Sequence, residues 1–491
     1  MGDAGHPTIQ TGLAGLPSTN PTKSFWQTSH PNPITHHRST ESLPTRASIV
    51  VIGTGISGTF ATHELLNYHR GINDILVLEA RTTCSAATGR NGGHCRPLIH
   101  SQRAGIIDFE MRNYRAIKAL AQNAECDFRE VPGGGCLGFW NREYFEEAKA
   151  SLSLRRDGDG TASEQNASIR VVEDPDELKA LGLTGGVVGA LVQGSFAASL
   201  SPYKLIISMW KGMLDEFASR VNLQTETPVT NITRAVAAAK DGGGKGGWIV
   251  HTHRGNVHTD QVILATNGYT SHLLPEFEAC IVPTQAQMSA LIPPRESPYS
   301  KTLIPMSYGF EGVGTQDRVM SDYLVQNPIL ENEDKVVGRG GHLMFGGGRH
   351  EVRGNGVGVS DDSYVDEDAE IYLRGLPSRL MLGEAQSETQ TKLLDIAGSW
   401  TGIIGHSADE YPWVGGVPGS EGVFVCAGYT GHGMTNAGLC VRHVARLAAC
   451  SWRGESWRQV QDREVEMSER GEDAGVPREY VITTERMDAL R

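Results

Sequence analysis

The sequence lacks the long apolar runs that would place it in a membrane. No stretch of about twenty apolar residues occurs, although a membrane-spanning helix needs that length. The first forty residues are rich in Pro, Thr and Ser, so they also lack the basic tip and apolar core of a secretory signal. We therefore expect no membrane partner and a cytoplasmic location.

Excess basic charge and paired cysteines are missing as well. The chain has 44 Lys and Arg against 57 Asp and Glu, for a net charge of -13, and this balance disfavours nucleic acid as a partner. Its eight cysteines include no Cys-x-x-Cys pair, which argues against disulfide reductases and zinc sites. We expect reduced, mostly buried thiols and no metal.

The first regular pattern in the chain is a strand, a glycine turn and a helix. The apolar run at Ala47–Ile52 has the composition of a buried parallel strand. A helix over Ser57–Tyr68 and a second strand over Asp74–Leu78 are predicted to follow it. Together these elements form a βαβ unit of about thirty residues.

The turn of that unit, residues 53–58, matches Gly-x-Gly-x-x-Gly. Gly53 permits the tight turn, Gly55 lets the backbone approach a pyrophosphate, and Gly58 allows the helix to pack closely on the strand. Glu79 ends the second strand, where it would accept hydrogen bonds from a ribose. A glycine turn without a ligand is the alternative, but the strand, helix and acid in register favour a dinucleotide site.

The segment after Glu79 favours FAD over NAD. Residues 84–94 are small, polar and rich in glycine, whereas an NAD enzyme would run directly into its next helix. Such a segment can lay backbone N–H groups along an extended ligand, which suits a flavin dinucleotide. No second Gly-x-Gly-x-x-Gly follows a strand, so we do not expect a two-nucleotide monooxygenase or reductase.

These motifs resemble those of the FAD-dependent D-amino-acid oxidase superfamily, whose members include glycine oxidase, sarcosine oxidase and gamma-glutamylputrescine oxidase. The version Arg-Asn-Gly-Gly-His at residues 90–94 is most similar to the gamma-glutamylputrescine oxidase-like branch. Four later segments extend the resemblance in family order over most of residues 47–450, namely 227–229, 265–269, 400–415 and 428–434.

The resemblance implies which residues bind the cofactor. Val229 would contact the adenine through its backbone, and a helix start at residues 431–434 would face the pyrimidine edge of the flavin. Helix N–H donors at that edge stabilise the negative charge of a reduced flavin. The FAD-binding residues expected in full are Gly53, Gly55, Ile56, Ser57, Gly58, Glu79, Ala80, Arg81, Thr88, Gly89, Arg90, Asn91, Gly92, Gly93, His94, Val229, Ala265, Thr266, Asn267, Gly268, Gly431, His432, Gly433 and Met434.

Three residues are candidates for substrate chemistry. His432 lies between two glycines and would contact the flavin, with a hydrogen-bonded loop histidine as the alternative. Arg349 follows three glycines and would clamp a carboxylate in bidentate fashion, with a surface position as the alternative. Tyr323 lies in a predicted strand, where a core role competes with a catalytic one.

The expected fold is α/β, with a Rossmann-type FAD-binding domain and a second, α+β substrate domain on a mixed or antiparallel sheet. Further strands are predicted at 229–237, 248–253, 257–264, 323–326, 343–345 and 423–427, and a helix at 439–447. The FAD-binding domain would comprise residues 47–131, 215–285 and 393–450, and the substrate domain residues 132–214 and 286–392. Residues 1–46 would form an extended or disordered arm with Trp26 as its candidate anchor, and residues 451–491 a charged, partly helical tail.

The resemblance implies an FAD-dependent oxidoreductase that oxidises the C–N bond of an amine or amino acid to an imine. Hydride would pass to flavin N5, and oxygen or another acceptor would take the electrons. Several family members attach FAD through a cysteine, but the corresponding stretch at 344–348 has none, so we expect non-covalent FAD. Two alternatives stay open: a flavin-dependent dehydrogenase or tailoring enzyme that acts on a larger natural product without oxygen, and a binding protein without catalysis.

Overall fold

The computed structural model describes residues 13–98, 104–156, 169–235, 247–313, 321–328, 341–382, 393–470, 472 and 475–490. The strands are β1 (Arg46–Ile52), β2 (Ile75–Leu78), β3 (His94–Cys95), β4 (Arg129–Glu130), β5 (Gly135–Phe139), β6 (Ile169–Val172), β7 (Gly189–Gln193), β8 (Ala198–Ser199), β9 (Val221–Gln224), β10 (Val229–Arg234), β11 (Trp248–Thr252), β12 (Gly255–Leu264), β13 (Ile281–Leu291), β14 (Ser307–Glu311), β15 (Ser321–Gln326), β16 (Leu343–Gly347), β17 (Ile396–Ser407), β18 (Trp413–Gly416) and β19 (Val423–Ala427). The helices are α1 (Phe25–Ser29), α2 (Ile56–Tyr68), α3 (Ala104–Ala121), α4 (Arg142–Arg156), α5 (Pro175–Ala180), α6 (Pro202–Glu216), α7 (Thr270–Leu273), α8 (Glu367–Arg374), α9 (Ala437–Trp452), α10 (Trp457–Glu469) and α11 (Thr484–Asp488).

The first sheet is built on the predicted βαβ unit. β1, β2 and β9 pair in parallel, and β12 pairs in parallel with the other edge of β1. Ile49, Val50 and Val51 are fully buried, because both faces of a parallel sheet are covered and no polar alternation is needed. Helices α2 and α9 pack against each other. This arrangement confirms the predicted Rossmann-type domain.

The same sheet continues through the predicted meander. β10, β11 and β12 pair in antiparallel fashion, while β19 pairs in parallel with the end of β12 and antiparallel with β18. The carboxyl ends of β1, β12 and β19 therefore meet at one edge of the sheet. The glycine turn after β1 and the segment after β19 start from this edge, which is where α/β sheets bind their ligands.

The second sheet is mixed, as predicted for the substrate domain. Its strand order is β17-β13-β16-β15-β14-β5-β7-β6, and all its pairs are antiparallel except β14 with β5. β17 falls in the range that the sequence assigns to the FAD-binding domain, yet it pairs along its length with β13 of the second sheet. A small third sheet joins β3, β8 and β4, so it lies between the glycine-rich segment and the substrate side.

Both chain ends pack against this body. We expected residues 1–46 to be extended or disordered, whereas residues 13–46 contain α1 and bury Trp26 to 2% exposure; residues 1–12 lie outside the described part of the chain. The tail beyond residue 451 forms α10 and α11, in line with its predicted partial helicity. Within the described ranges, no helix combines the length and apolarity needed to cross a bilayer.

Candidate functional site

A cavity of about 680 Å³ lies between the two large sheets, within the size range of small-molecule and cofactor sites. The glycine turn after β1, the end of β2 and the segment after β19 line one part of it, and residues of β5, β14, β15 and β16 line another. The cavity therefore joins the predicted dinucleotide motifs to the predicted substrate domain.

The glycine turn is shaped by close backbone contacts. Gly53 has a φ of 111°, and a Cβ there would lie 2.8 Å from the Ala265 carbonyl oxygen. A Cβ on Gly58 would lie 1.8 Å from the Gly53 carbonyl oxygen, which no side chain could occupy. Glycine at these positions lets the N-terminus of α2 face the cavity, where a helix dipole favours a phosphate.

Glu79 is held at the end of β2 with its carboxylate at the cavity. Its two oxygens accept hydrogen bonds from the Thr54 amide at 2.9 Å, the Thr54 hydroxyl at 2.5 Å and the Arg81 amide at 3.0 Å. A carboxylate has room for further bonds. Glu79 is therefore placed to accept from a ribose, as its position in the sequence predicts.

The segment after β19 presents unpaired amides to the cavity. The amide groups of Gly431, Gly433 and Met434 have no acceptor among the residues described, and the residues themselves line the cavity. Thr430 and Gly431 hold positive φ angles of 48° and 87°, which turn the chain toward the cavity. These donors, with the glycine turn opposite, are features that fit an anionic, extended dinucleotide.

The glycine-rich segment is fixed by Arg90 and Tyr323. Arg90 is 2% exposed and donates to the Ser85 carbonyl at 2.6 Å and the Thr401 carbonyl at 2.8 Å. The Gly92 amide donates to the Tyr323 hydroxyl at 2.7 Å. The Tyr323 ring stacks on His94 with centroids 5.7 Å apart. Tyr323 therefore supports the segment and also lines the cavity.

Most of the residues predicted to bind FAD meet at this cavity. Five glycines do not line it; they lie behind its wall, packed against neighbouring backbone or side chains: Gly58, Gly89, Gly92, Gly93 and Gly268. The predicted residues that line it are Gly53, Gly55, Ile56, Ser57, Glu79, Ala80, Arg81, Thr88, Arg90, Asn91, His94, Val229, Ala265, Thr266, Asn267, Gly431, His432, Gly433 and Met434, with Tyr323 and Arg349 on the substrate side.

Arg96 is the main residue that sequence reasoning missed. Its guanidinium faces the cavity beside two glycines of adjacent strands: a Cβ on Gly135 would lie 2.7 Å from Nη1, and one on Gly309 3.5 Å from Nη2. Among the described residues, it forms no hydrogen bond or ion pair. Its place two residues after the Gly-Gly-His motif was the only signal for it.

Three histidines of the cavity, His94, His406 and His432, are held neutral. Burial, with the nearby Arg96 charge, lowers the pKa of His432 to about 4 and that of His94 well below its usual value. Burial and Arg349 lower the pKa of His406 to about 4. At pH 7 the positive charges beside these three histidines are therefore those of Arg96 and Arg349.

Arg349 lines the cavity but is also engaged in its own loop. Its Nε donates to the Asn355 carbonyl at 3.0 Å, and its Nη1 lies 3.2 Å from His406 Nε2. The surface position considered as an alternative is not observed, because the residue is partly buried at the cavity. Other lining residues without a sequence signal are Gly15, Leu16, Pro17, Gln287 and Met288, whereas Ile403, His406, Glu410, Tyr411 and Tyr429 lie in the segments 400–415 and 428–434 that carry the resemblance.

Comparison with known proteins agrees with this geometry. A relative in Rhizobium meliloti (strain 1021), named probable oxidoreductase OrdL, is 21% identical over 418 residues, which cover 82% of this chain and 83% of that protein. Among solved structures, glycine oxidase from Geobacillus kaustophilus superposes with a TM-score of 0.58 at 15% identity, covering 84% of this chain and 96% of that one.

A second solved structure separates fold from substrate. L-alpha-glycerophosphate oxidase from Mycoplasma pneumoniae, determined with FAD bound, gives a TM-score of 0.59 at 14% identity and covers 82% of this chain and 94% of that one. It is named for a different substrate from glycine oxidase, so these likenesses establish the fold alone. The sequence model of the family described as FAD dependent oxidoreductase matches residues 48–447. The chain therefore belongs to this family of FAD-dependent oxidoreductases, and FAD is its cofactor.

Proposed function

We propose that this enzyme oxidises the C–N bond of an amine or amino acid that carries a carboxylate, giving an imine that water hydrolyses. The observation that carries the proposal is the Arg96 guanidinium, which faces the cavity without a hydrogen bond or ion pair to the described residues. Burying a charge without a counter-ion costs several kcal/mol. A site that retains such a cation is suited to binding an anionic substrate group.

Among the described residues, Glu311 on β14 is the carboxylate whose charge acts on Arg96. Asp322 accepts hydrogen bonds from the Gly348 amide at 3.0 Å and the Tyr372 hydroxyl at 2.5 Å, and burial raises its pKa. A substrate carboxylate would bind Arg96 in bidentate fashion, with Arg349 as a second cation at the cavity.

The cofactor would lie along the predicted motifs. The adenosine diphosphate would run beside residues 53–58 with its ribose on Glu79, and the flavin ring would meet the amides of residues 431–434. When bound, FAD would supply the two-electron acceptor for a hydride from the substrate, and oxygen would be the final acceptor, giving hydrogen peroxide. None of the eight cysteines lines the cavity, which supports non-covalent binding.

The protein's own part is orientation and exclusion of water. Arg96 would fix the carboxylate and so place the adjacent C–H bond, which is a proximity effect. His94 and His432 stay neutral at pH 7, so they do not repel the amine. Tyr323 would act as a positioning residue through Gly92 and His94. The gamma-glutamylputrescine oxidase-like branch and the domain boundaries stay predictions.

The test uses matched pairs of substrates that differ only in the carboxylate. Purified holoprotein is mixed anaerobically with glycine and methylamine, sarcosine and dimethylamine, D-alanine and ethylamine, or L-proline and pyrrolidine, and flavin absorbance is followed. We expect the carboxylate member of a reactive pair to reduce the flavin at least about a hundredfold faster, because a charge-assisted bidentate contact contributes about 3 kcal/mol.

Two results would overturn the proposal. One is that no member of a broad amine and amino-acid panel bleaches the flavin; the other is that both members of every reactive pair bleach it equally. Admission of air then tests the acceptor. Hydrogen peroxide equal to the substrate consumed is expected, whereas a reduced flavin that stays reduced would contradict the use of oxygen.

A further inference from the structure

The N-terminal arm, here residues 13–46, precedes the region that the family model matches, which covers residues 48–447. It nevertheless contributes to the cavity wall, because Gly15, Leu16 and Pro17 line the cavity together with Glu79 and Arg81. The arm therefore lies at the end of the cavity where the adenosine would bind.

The tip of the arm is hydrogen-bonded to both sides of the cavity. The Ala14 amide donates to the Ser271 hydroxyl at 3.0 Å, and the Ala14 carbonyl lies 3.2 Å from His272 Nδ1. The Gly15 amide donates to the Ser360 hydroxyl at 3.1 Å. Ser271 and His272 belong to α7, near the end of β12, whereas Ser360 belongs to the loop before α8. The tip thus bridges residues associated with the two large sheets.

Two cavity arginines hold the next part of the arm. Asp362 is fully buried and accepts hydrogen bonds from Arg81 Nη1 at 2.8 Å and 3.0 Å, while Arg90 Nε lies 3.4 Å away. The arm's carbonyl groups take up further donors: Arg81 donates to Ser18 at 3.3 Å and Arg90 to Thr22 at 2.6 Å. Arg81 and Arg90 therefore bind both the buried Asp362 and the carbonyl groups of the arm.

This sharing couples the arm to the ligand. Arg81 and Arg90 line the cavity, so the same side chains that bind the arm would also face the anionic dinucleotide. Trp26 adds a second link, since it is buried and its Nε1 donates to the Asn91 carbonyl at 2.6 Å. Asn91 also lines the cavity. When two ligands share binding groups, each changes the affinity for the other by the same factor.

We propose that residues 14–26 are an integral part of the FAD site. These residues close the adenosine end of the cavity and slow the release of FAD. The arm and the cofactor stabilise each other through Arg81, Arg90 and Asn91. FAD then enters fully only before the arm docks, and it leaves when the arm opens. This inference concerns cofactor binding and does not depend on the proposed substrate.

The first test measures the effect of FAD on the arm. Lys23, inside the anchored stretch, and Arg38, beyond it, are both exposed trypsin sites; Arg38 contacts Glu226 and the Thr225 carbonyl, away from the cavity. Trypsin is added to apoprotein and to FAD-loaded protein, and cleavage after each residue is timed by mass spectrometry. FAD should slow cleavage after Lys23 by about tenfold or more, with Arg38 little changed.

The second test measures the effect of the arm on FAD. Thr22→Val removes a hydroxyl that accepts from Arg90 and from the Thr401 amide, each at 3.1 Å. Thr28→Val is the matched control, because the hydrogen bonds of its hydroxyl to described residues go to the carbonyls of Ser24 and Phe25, at the start of its own short helix. Release of FAD on dilution is followed by flavin fluorescence. T22V should release FAD about tenfold faster, and T28V within about twofold of the parent.

Thermal unfolding separates this role from a purely structural one. T22V should lower the midpoint of the FAD-loaded protein more than that of the apoprotein. Three results would each overturn the proposal. The first is an equal fall of the unfolding midpoint in the FAD-loaded protein and the apoprotein, and the second is an FAD release rate of T22V equal to that of T28V. The third is equal protection of Lys23 and Arg38 from trypsin by FAD.

Discussion

The two ends of the cavity differ in whether backbone or side-chain groups line them. At the proposed dinucleotide end, the groups offered to a ligand come largely from backbone: the glycine turn and the amides of Gly431, Gly433 and Met434. At the substrate end, the chemistry comes from side chains such as Arg96, Arg349 and His406, which approach from separate strands and loops. The dinucleotide end therefore depends on close backbone contacts that glycine permits, whereas the substrate end depends on the placement of charged and polar side chains.

This difference explains how each end tolerates change. Close backbone contacts leave no freedom for an added atom, since protein interiors are packed to crystal-like density. A side-chain pocket can be altered without unfolding the protein, and removal of a buried charge even favours stability. The first end should therefore fail by misfolding and loss of FAD, and the second by loss of substrate binding in a stable protein.

The largest effect is expected from Gly58→Ala at the dinucleotide end. Its Cβ would lie 1.8 Å from the Gly53 carbonyl oxygen, so α2 must move away from β1, at a cost of about 3 kcal/mol or more. We expect little or no FAD-loaded protein, as measured by flavin absorbance and urea unfolding. Gly105→Ala is the control: it lies in α3 with open space around its Cβ, and it should stabilise the protein by about 0.5–1 kcal/mol. If both variants had the same FAD content and the same unfolding free energy, the close contacts of Gly58 would not be what the dinucleotide end depends on.

The next effect is expected from Arg96→Met at the substrate end. Loss of the guanidinium should lower kcat/KM for a carboxylate substrate by about a hundredfold to a thousandfold, while FAD content stays unchanged. The unfolding midpoint should rise slightly, because an uncompensated charge is removed from the interior. Arg349→Met should have a smaller effect on kcat/KM. If Arg349→Met instead lowered kcat/KM more than Arg96→Met, Arg349 would be the residue that binds the carboxylate.

The same difference explains what the sequence could predict. The βαβ unit and the second mixed sheet were predictable, and most of the residues predicted to bind FAD do line the cavity, because Gly53, Gly55 and Glu79 occupy fixed spacings along one local unit. Arg96 was not, since its environment depends on Gly135 and Gly309, which are distant in sequence and meet it only in the folded sheet. The docking of residues 13–46 was missed because a polar, proline-containing segment has no periodicity, and its contacts are hydrogen bonds to distant residues.

A buried carboxyl behind residues 431–434 should make stability depend on pH. Glu110 is 2% exposed and accepts from the Leu98 amide at 2.7 Å and from Asn436 at 2.9 Å. Burial raises its pKa from 4.5 to about 7, so the folded state holds a proton that the unfolded state has lost. The contribution of Glu110 to stability is therefore fully present below pH 4.5 and is lost as pH rises to 7, by about 3 kcal/mol.

Glu110→Gln tests that dependence at the cofactor end. Nearby Cys95 and Tyr480 are also buried, and burial raises the pKa of Cys95 to about 12 and that of Tyr480 well above its usual value, so neither titrates in this range. The difference in unfolding free energy between the parent and E110Q, from urea titrations at pH 5 and pH 8, should shift by about 2–3 kcal/mol. A constant difference would show that Glu110 is ionised in the folded protein.

The smallest effect probes how closely the substrate end depends on glycine. Gly135 has an ordinary strand conformation, so alanine suits its backbone, but the added Cβ would lie 2.7 Å from Arg96 Cδ and Nη1. Because a flexible side chain can move, G135A should raise KM for a carboxylate substrate by about tenfold or less with kcat nearly unchanged. Gly398→Ala, on β17 with nothing within 4 Å of its Cβ, serves as the control. If G135A instead lost FAD, the substrate end would be as dependent on backbone packing as the dinucleotide end, and the contrast between them would fail.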